Sequence, residues 1–99
     1  MAQAFSVVVM PLADRDLEDI ARYIAEDSPA RASEFSRRIR RAVLSLERFP
    51  RRGRSLGFRM LGELVRERIE GDYRIMYVVR GRDVVGMRVV HASREDILR

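Results

Sequence analysis

The stretch from Leu12 to Pro50, LADRDLEDIARYIAEDSPARASEFSRRIRRAVLSLERFP, decides the fold. Its first half places Ala13, Leu17, Ile20, Ala21 and Ile24 within about 100° of one another at 3.6 residues per turn, with Asp16, Glu18, Asp19 and Arg22 facing away. That pattern predicts an amphipathic helix from Leu12 to about Asp27. Pro11 suits its first turn, and Asp14 and Asp16 sit near the positive end of its dipole. Ser28 before Pro29 restarts the helical pattern, since a serine hydroxyl accepts from exposed amides at the position before a proline that lacks one. The second series, Ala32, Phe35, Ile39, Ala42, Leu46 and Phe49, steps by three and four, so one long face is predicted to be buried. So short a connection requires an antiparallel helical hairpin.

Outward from the hairpin the period changes. AFSVVVM (residues 4–10) is β-branched and apolar without helical spacing, which predicts a buried strand closed by Pro11. Pro50 ends the second helix, and RRGRSLGF (51–58) mixes glycines and charges without a period, which predicts a loop. Val65, Glu67 and Ile69 then alternate with Arg66 and Arg68, and Tyr73, Ile75, Tyr77 and Val79 alternate with Arg74, Met76, Val78 and Arg80. Gly71–Asp72, and Gly81 to Asp83 before VVGMRVVHA, carry hairpin-turn chemistry. The expected fold is one α+β domain over residues 1–99: an N-terminal strand, then an antiparallel helical hairpin packed on one face of a mainly antiparallel sheet completed by a three-strand C-terminal meander. The other face is expected to be open and lined by arginines.

Composition narrows the function. Ninety-nine residues, 46% of them hydrophobic and 35% charged, suit one modest globular core. With no cysteine and one histidine, disulfides and His/Cys zinc sites are excluded, and neither a metal nor a cofactor is expected. No stretch approaches a membrane span and the N-terminal apolar run is too short for a signal peptide, so a cytoplasmic protein is expected. All twenty basic residues are arginine. Schiff-base chemistry is thereby removed, and side chains suited to bidentate phosphate or carboxylate recognition remain; genomic base composition accounts for the same bias equally well. Residues 1–28 carry two arginines against six acids (net −4), and residues 29–68 carry twelve against four (net +8). A basic half of this kind fits a phosphate backbone or an acidic protein partner. Gly53, Gly57 and Gly62 match no phosphate-loop spacing, and no nucleophile elbow occurs.

Four segments, in order and spanning nearly the whole chain, resemble the ParE branch of the RelE/ParE toxins: DLEDIARYIAEDSP (Asp16–Pro29), FPRRGR (Phe49–Arg54), DYRIMYVV (Asp72–Val79) and VVHASRED (Val89–Asp96). The resemblance implies a RelE/ParE-like fold and a type II toxin encoded beside an antitoxin whose tail wraps the hairpin and sheet; a toxin–antitoxin heterotetramer is one assembly it allows. It also implies two rival activities. RelE- and YoeB-like members cleave messenger RNA on the ribosome, whereas ParE-like members inhibit DNA gyrase by binding and lack the nuclease residues.

Individual positions favour binding over catalysis. RNA cleavage needs a base for the 2′-hydroxyl, a cation for the phosphorane and an acid for the leaving oxygen. By the resemblance, Arg74 aligns with the strand arginine of the nuclease branch and His91 with its functional histidine, but Ala92 lies where YoeB-like enzymes place a catalytic tyrosine. Where RelE-like members use lysines, this chain has Arg51, Arg52, Arg54 and Arg59, poor proton carriers near neutrality. Glu63, Glu67 and Glu70 read as solvated strand charges. His91, sharing parity with Val85, Met87 and Val89, reads as a structural hydrogen-bonding residue. An enzyme is therefore the less favoured reading; its catalytic pair would be Arg74 and His91. The target-contact candidates are Arg59, Arg74, Arg88, His91 and Arg94, with Arg74 and Arg88 projecting from the uncovered face. The antitoxin-contact candidates are Arg37, Arg41 and Arg48 around Leu44, opposite the buried helical stripe. A plain basic nucleic-acid-binding domain, whose binding would weaken steeply with salt, is the third reading.

Overall fold

The structure, a computed structural model, describes residues 4–93. β1 (Ser6–Val9) leads directly into α1 (Pro11–Ala25) and, after a short turn, α2 (Pro29–Ser45). A 3₁₀ turn over Pro50–Arg52 precedes β2 (Arg54–Met60), β3 (Glu63–Glu70), β4 (Tyr73–Arg80) and β5 (Asp83–His91). The sheet order is β1-β5-β4-β3-β2; β1 runs parallel to β5 and all other pairs are antiparallel. The expected α+β arrangement of a helical hairpin on a mainly antiparallel sheet is the one observed.

The helices form for the reasons their sequence gives. Pro11 and Pro29 occupy first turns, and the Ser28 hydroxyl accepts from the Arg31 amide at 3.2 Å. Ala32, Phe35, Ile39, Ala42 and Leu46 are buried, and the last four pack with Ile75, Tyr77, Val79, Val84 and Val89 of the sheet. Phe49 departs from the expected buried stripe. Regular helix stops at Ser45, the chain turns before Phe49, and that residue is 61% exposed.

Three further expectations are corrected. The segment 51–58 is not a loop, because β2 takes up Arg54 onward and turns into β3 through Leu61 and Gly62, both at positive φ (56° and 80°). The meander thus has four strands. β1 is not fully buried: it is an edge strand of alternating exposure, with Val8 47% exposed. Nor is the second face of the sheet an open arginine surface. Val65, Met76, Val78, Met87 and Val90 form a second buried cluster there, flanked by Leu56, Phe58 and Met60 of β2. Alternate strand positions thus fill a core on each face, which is why β4 is buried over five successive residues from Ile75 to Val79.

Candidate functional site

The basic turn after α2 is held by buried contacts. The Tyr77 hydroxyl, pointing from the helix-facing side of β4, donates to the Pro50 carbonyl at 2.6 Å. Burial pushes its phenol pKa above the ordinary value, partly offset by a hydrogen bond with the Gly53 backbone. The Arg66 guanidinium donates to the Arg51 and Gly53 carbonyls at 3.1 and 3.0 Å. Gly53 is required by space. A Cβ there would lie 2.8 Å from Tyr77 Cζ and 2.9 Å from the Glu67 carbonyl oxygen, and closer still to the Tyr77 hydroxyl. Arg51 and Arg52 stack over Phe5 and Phe49 at 5.6 and 5.0 Å. Arginine side chains on this turn are therefore presented from a fixed backbone.

On the far face of the sheet, Glu67 is buried, contrary to its reading as a solvated charge; the local alternation is as expected, but the face it points to is packed. Burial of a carboxylate requires a cation. Arg74 supplies it, with Nε 2.6 Å from Glu67 Oε2, and Arg54 adds a longer contact of 3.6 Å. Arg74 is only 14% exposed at its side chain. It does not project as an open contact residue.

Arg88 is also withdrawn from the surface it was expected to line. Its guanidinium makes a two-pronged pair with Asp16 of α1 at 2.8 and 3.0 Å, which raises the Arg88 pKa. Asp16 Oδ2 additionally accepts from the Val89 amide at 2.9 Å. This corrects the outward placement of Asp16. β1 pairs only with Asp83 to Gly86, and Asp16 caps the edge of β5 beyond that point.

His91 lies across the β4–β5 pair from Tyr73, its ring edge-on to the tyrosine at 5.6 Å. Its Nδ1 is 2.9 Å from the Ser93 hydroxyl and accepts from the Ser93 amide at 3.2 Å. A bulge at Met87 puts His91 on the helix side with Val89, whereas Val85 and Met87 turn to the other cluster, so the expected common parity of all four does not hold. Arg74 pairs with Val90, on the opposite face. The two residues a nuclease would need are thus neighbours along the chain register but point to opposite sides of the sheet.

Arg59 donates to the Gly62 carbonyl at 3.2 Å, within its own hairpin. Arg94 lies outside the described residues. On α2, Leu44 is 52% exposed and Arg37 and Arg41 are exposed, as their helical angles require; Arg48 is exposed too, but in the turn beyond Ser45 and not on the helix where it was expected. Asp16, Glu67, Arg66 and Tyr77 were missed as a positioning set. Only their parity was legible, since each partner lies on another element.

The family model described as the ParE toxin of the type II toxin–antitoxin system, parDE, matches residues 7–96. The chain belongs to the ParE toxin family. The match runs from β1 past β5, so it takes in every element of this type II toxin. Among solved structures, the chromosomal ParDE toxin–antitoxin system from P. aeruginosa is similar with a TM-score of 0.74 at 20% identity, over 93% of this chain and 100% of that one. The toxin–antitoxin complex RelBE2 from Mycobacterium tuberculosis is similar with a TM-score of 0.60 at 28% identity, over 94% and 98%. A search of curated proteins finds no match.

Proposed function

We propose that this ParE-family toxin inhibits growth by binding DNA gyrase, without cleaving RNA, and that a cognate antitoxin neutralises it in the cytoplasm. The observation that carries the reading is the divergence of Arg74 and His91: one is ion-paired to a buried glutamate on one face, the other is bonded to Ser93 on the opposite face. General acid–base catalysis needs its groups within hydrogen-bond reach of one reacting centre, and these two share none. What remains is a rigid scaffold that presents arginines, suited to gripping a macromolecule. An antitoxin partner is supported by the family and by the two similar structures, both described as toxin–antitoxin systems.

Purified toxin at micromolar concentration is expected to inhibit supercoiling of relaxed plasmid by gyrase, and prior mixing with the antitoxin encoded beside it to restore it. Full supercoiling at saturating toxin would remove the gyrase assignment.

A further inference from the structure

The C-terminal end of α2, the Pro50–Arg52 turn and β3 enclose a groove of about 580 Å³. Arg48, Arg52, Arg54 and Arg68 line it, and the only carboxylate there among the described residues, Glu67, is buried and bonded to Arg74. Among the described residues, neither Arg48 nor Arg52 is paired to a carboxylate. The groove also carries exposed apolar surface, Phe49 at 61% and Ile69 at 52%. Its floor is an unfinished sheet: β2 begins with Arg54 opposite Glu67, so Arg68–Glu70 pair with β4 on one side and, among the described residues, with no strand on the other.

We infer that the open edge of this groove seats an extended acidic segment of a protein partner, holding its carboxylates with Arg48 and Arg52 on the helix side and one aliphatic side chain against Ile69 on the far face of the sheet. This rests on the reading of the toxin as antitoxin-bound and specifies where the contact is made. Charge complementarity selects an anionic occupant. The open edge of β3 selects a polypeptide over a nucleic acid: it offers backbone amide and carbonyl groups that an extended peptide can pair with and a phosphodiester chain cannot. Arg66, which ties down the Arg51 and Gly53 carbonyls, is a positioning residue for the groove wall.

The test is calorimetric titration of the full-length toxin with the antitoxin encoded beside it. The double reversal Arg48→Glu/Arg52→Glu is expected to weaken binding by at least about tenfold. Arg82→Glu, which makes the same kind of charge change at the exposed β4–β5 turn, is expected to change it less than about threefold. Ile69→Ser, which alters no charge, is expected to weaken binding about three- to tenfold, and it keeps the test valid should the double reversal fail to melt cooperatively. Wild-type affinity in the groove variants overturns the groove while leaving the antitoxin reading intact. No binding by the wild-type protein overturns both. A twelve-residue oligothymidylate that displaces the antitoxin from the wild-type toxin, but binds Arg48→Glu/Arg52→Glu poorly, overturns the choice of a peptide as occupant.

Discussion

Replacing Gly53 with alanine tests whether the basic turn is held by packing. Gly53 adopts φ −62° and ψ 148°, which any residue adopts, so alanine introduces no backbone strain. The effect is purely steric: the new methyl overlaps the Tyr77 hydroxyl, with Tyr77 Cζ at 2.8 Å and the Glu67 carbonyl oxygen at 2.9 Å. The carbonyl belongs to a paired strand and cannot yield, so Tyr77 must move and surrender its 2.6 Å bond to Pro50. Overpacking of this kind costs about 1–3 kcal/mol, and loss of the hydrogen bond adds about 1 kcal/mol. A total near 3 kcal/mol lowers the melting midpoint of a domain this size by roughly 10–25 °C, readable by circular dichroism. Tyr77→Phe alone should cost about 1–2 kcal/mol through the orphaned Pro50 carbonyl. Because the hydroxyl is then gone, the double variant should be less destabilised than the sum by about 1 kcal/mol. A Gly53→Ala midpoint within about 3 °C of wild type, or strict additivity in the double variant, would refute the packing argument.

Other outcomes follow from the buried charges. Asp16→Ala removes three hydrogen bonds to Arg88 and Val89 and should cost about 2–4 kcal/mol; the Val89 amide should exchange with deuterium faster than that of Val84, which lies within the β1-paired stretch. Arg74→Ala leaves Glu67 buried without its nearest cation and should cost about 3–5 kcal/mol, more than Arg54→Ala, whose contact is longer and exposed; denaturant midpoints would rank the two. The Glu70 carboxyl is held below its ordinary value of 4.5, chiefly by the hydrogen bond from Arg38. A depressed folded pKa makes the contribution full above 4.5 and lost as pH falls below it, so the stability gap between wild type and Arg38→Gln should narrow as pH falls below 4.5.

Much of this architecture is legible in the sequence, and the misses share a cause. The two helical stripes, the Ser28 cap and the alternation of Tyr73 to Val79 are local patterns, and the structure keeps them. β2 carried a signal, since Leu56, Phe58 and Met60 alternate, but Gly53 and Gly57 among charges masked it. The fate of Glu67 and Asp16 was not local at all. Glu67 lies where periodicity puts it and Asp16 does not; what periodicity cannot supply is the second packed face that buries Glu67, or the strand edge that Asp16 caps. The bulge at Met87 reverses parity between Val85 and His91, and Gly86 beside it is the one mark it leaves in the sequence.

The proposed function has the toxin act by grip and not by reaction. Primer extension on messenger RNA held in translating ribosomes, after exposure to pure toxin, tests it most directly. An unbroken message is expected. Discrete cuts in the ribosomal A site, abolished by Arg74→Ala or His91→Ala in variants that still melt cooperatively, would contradict it.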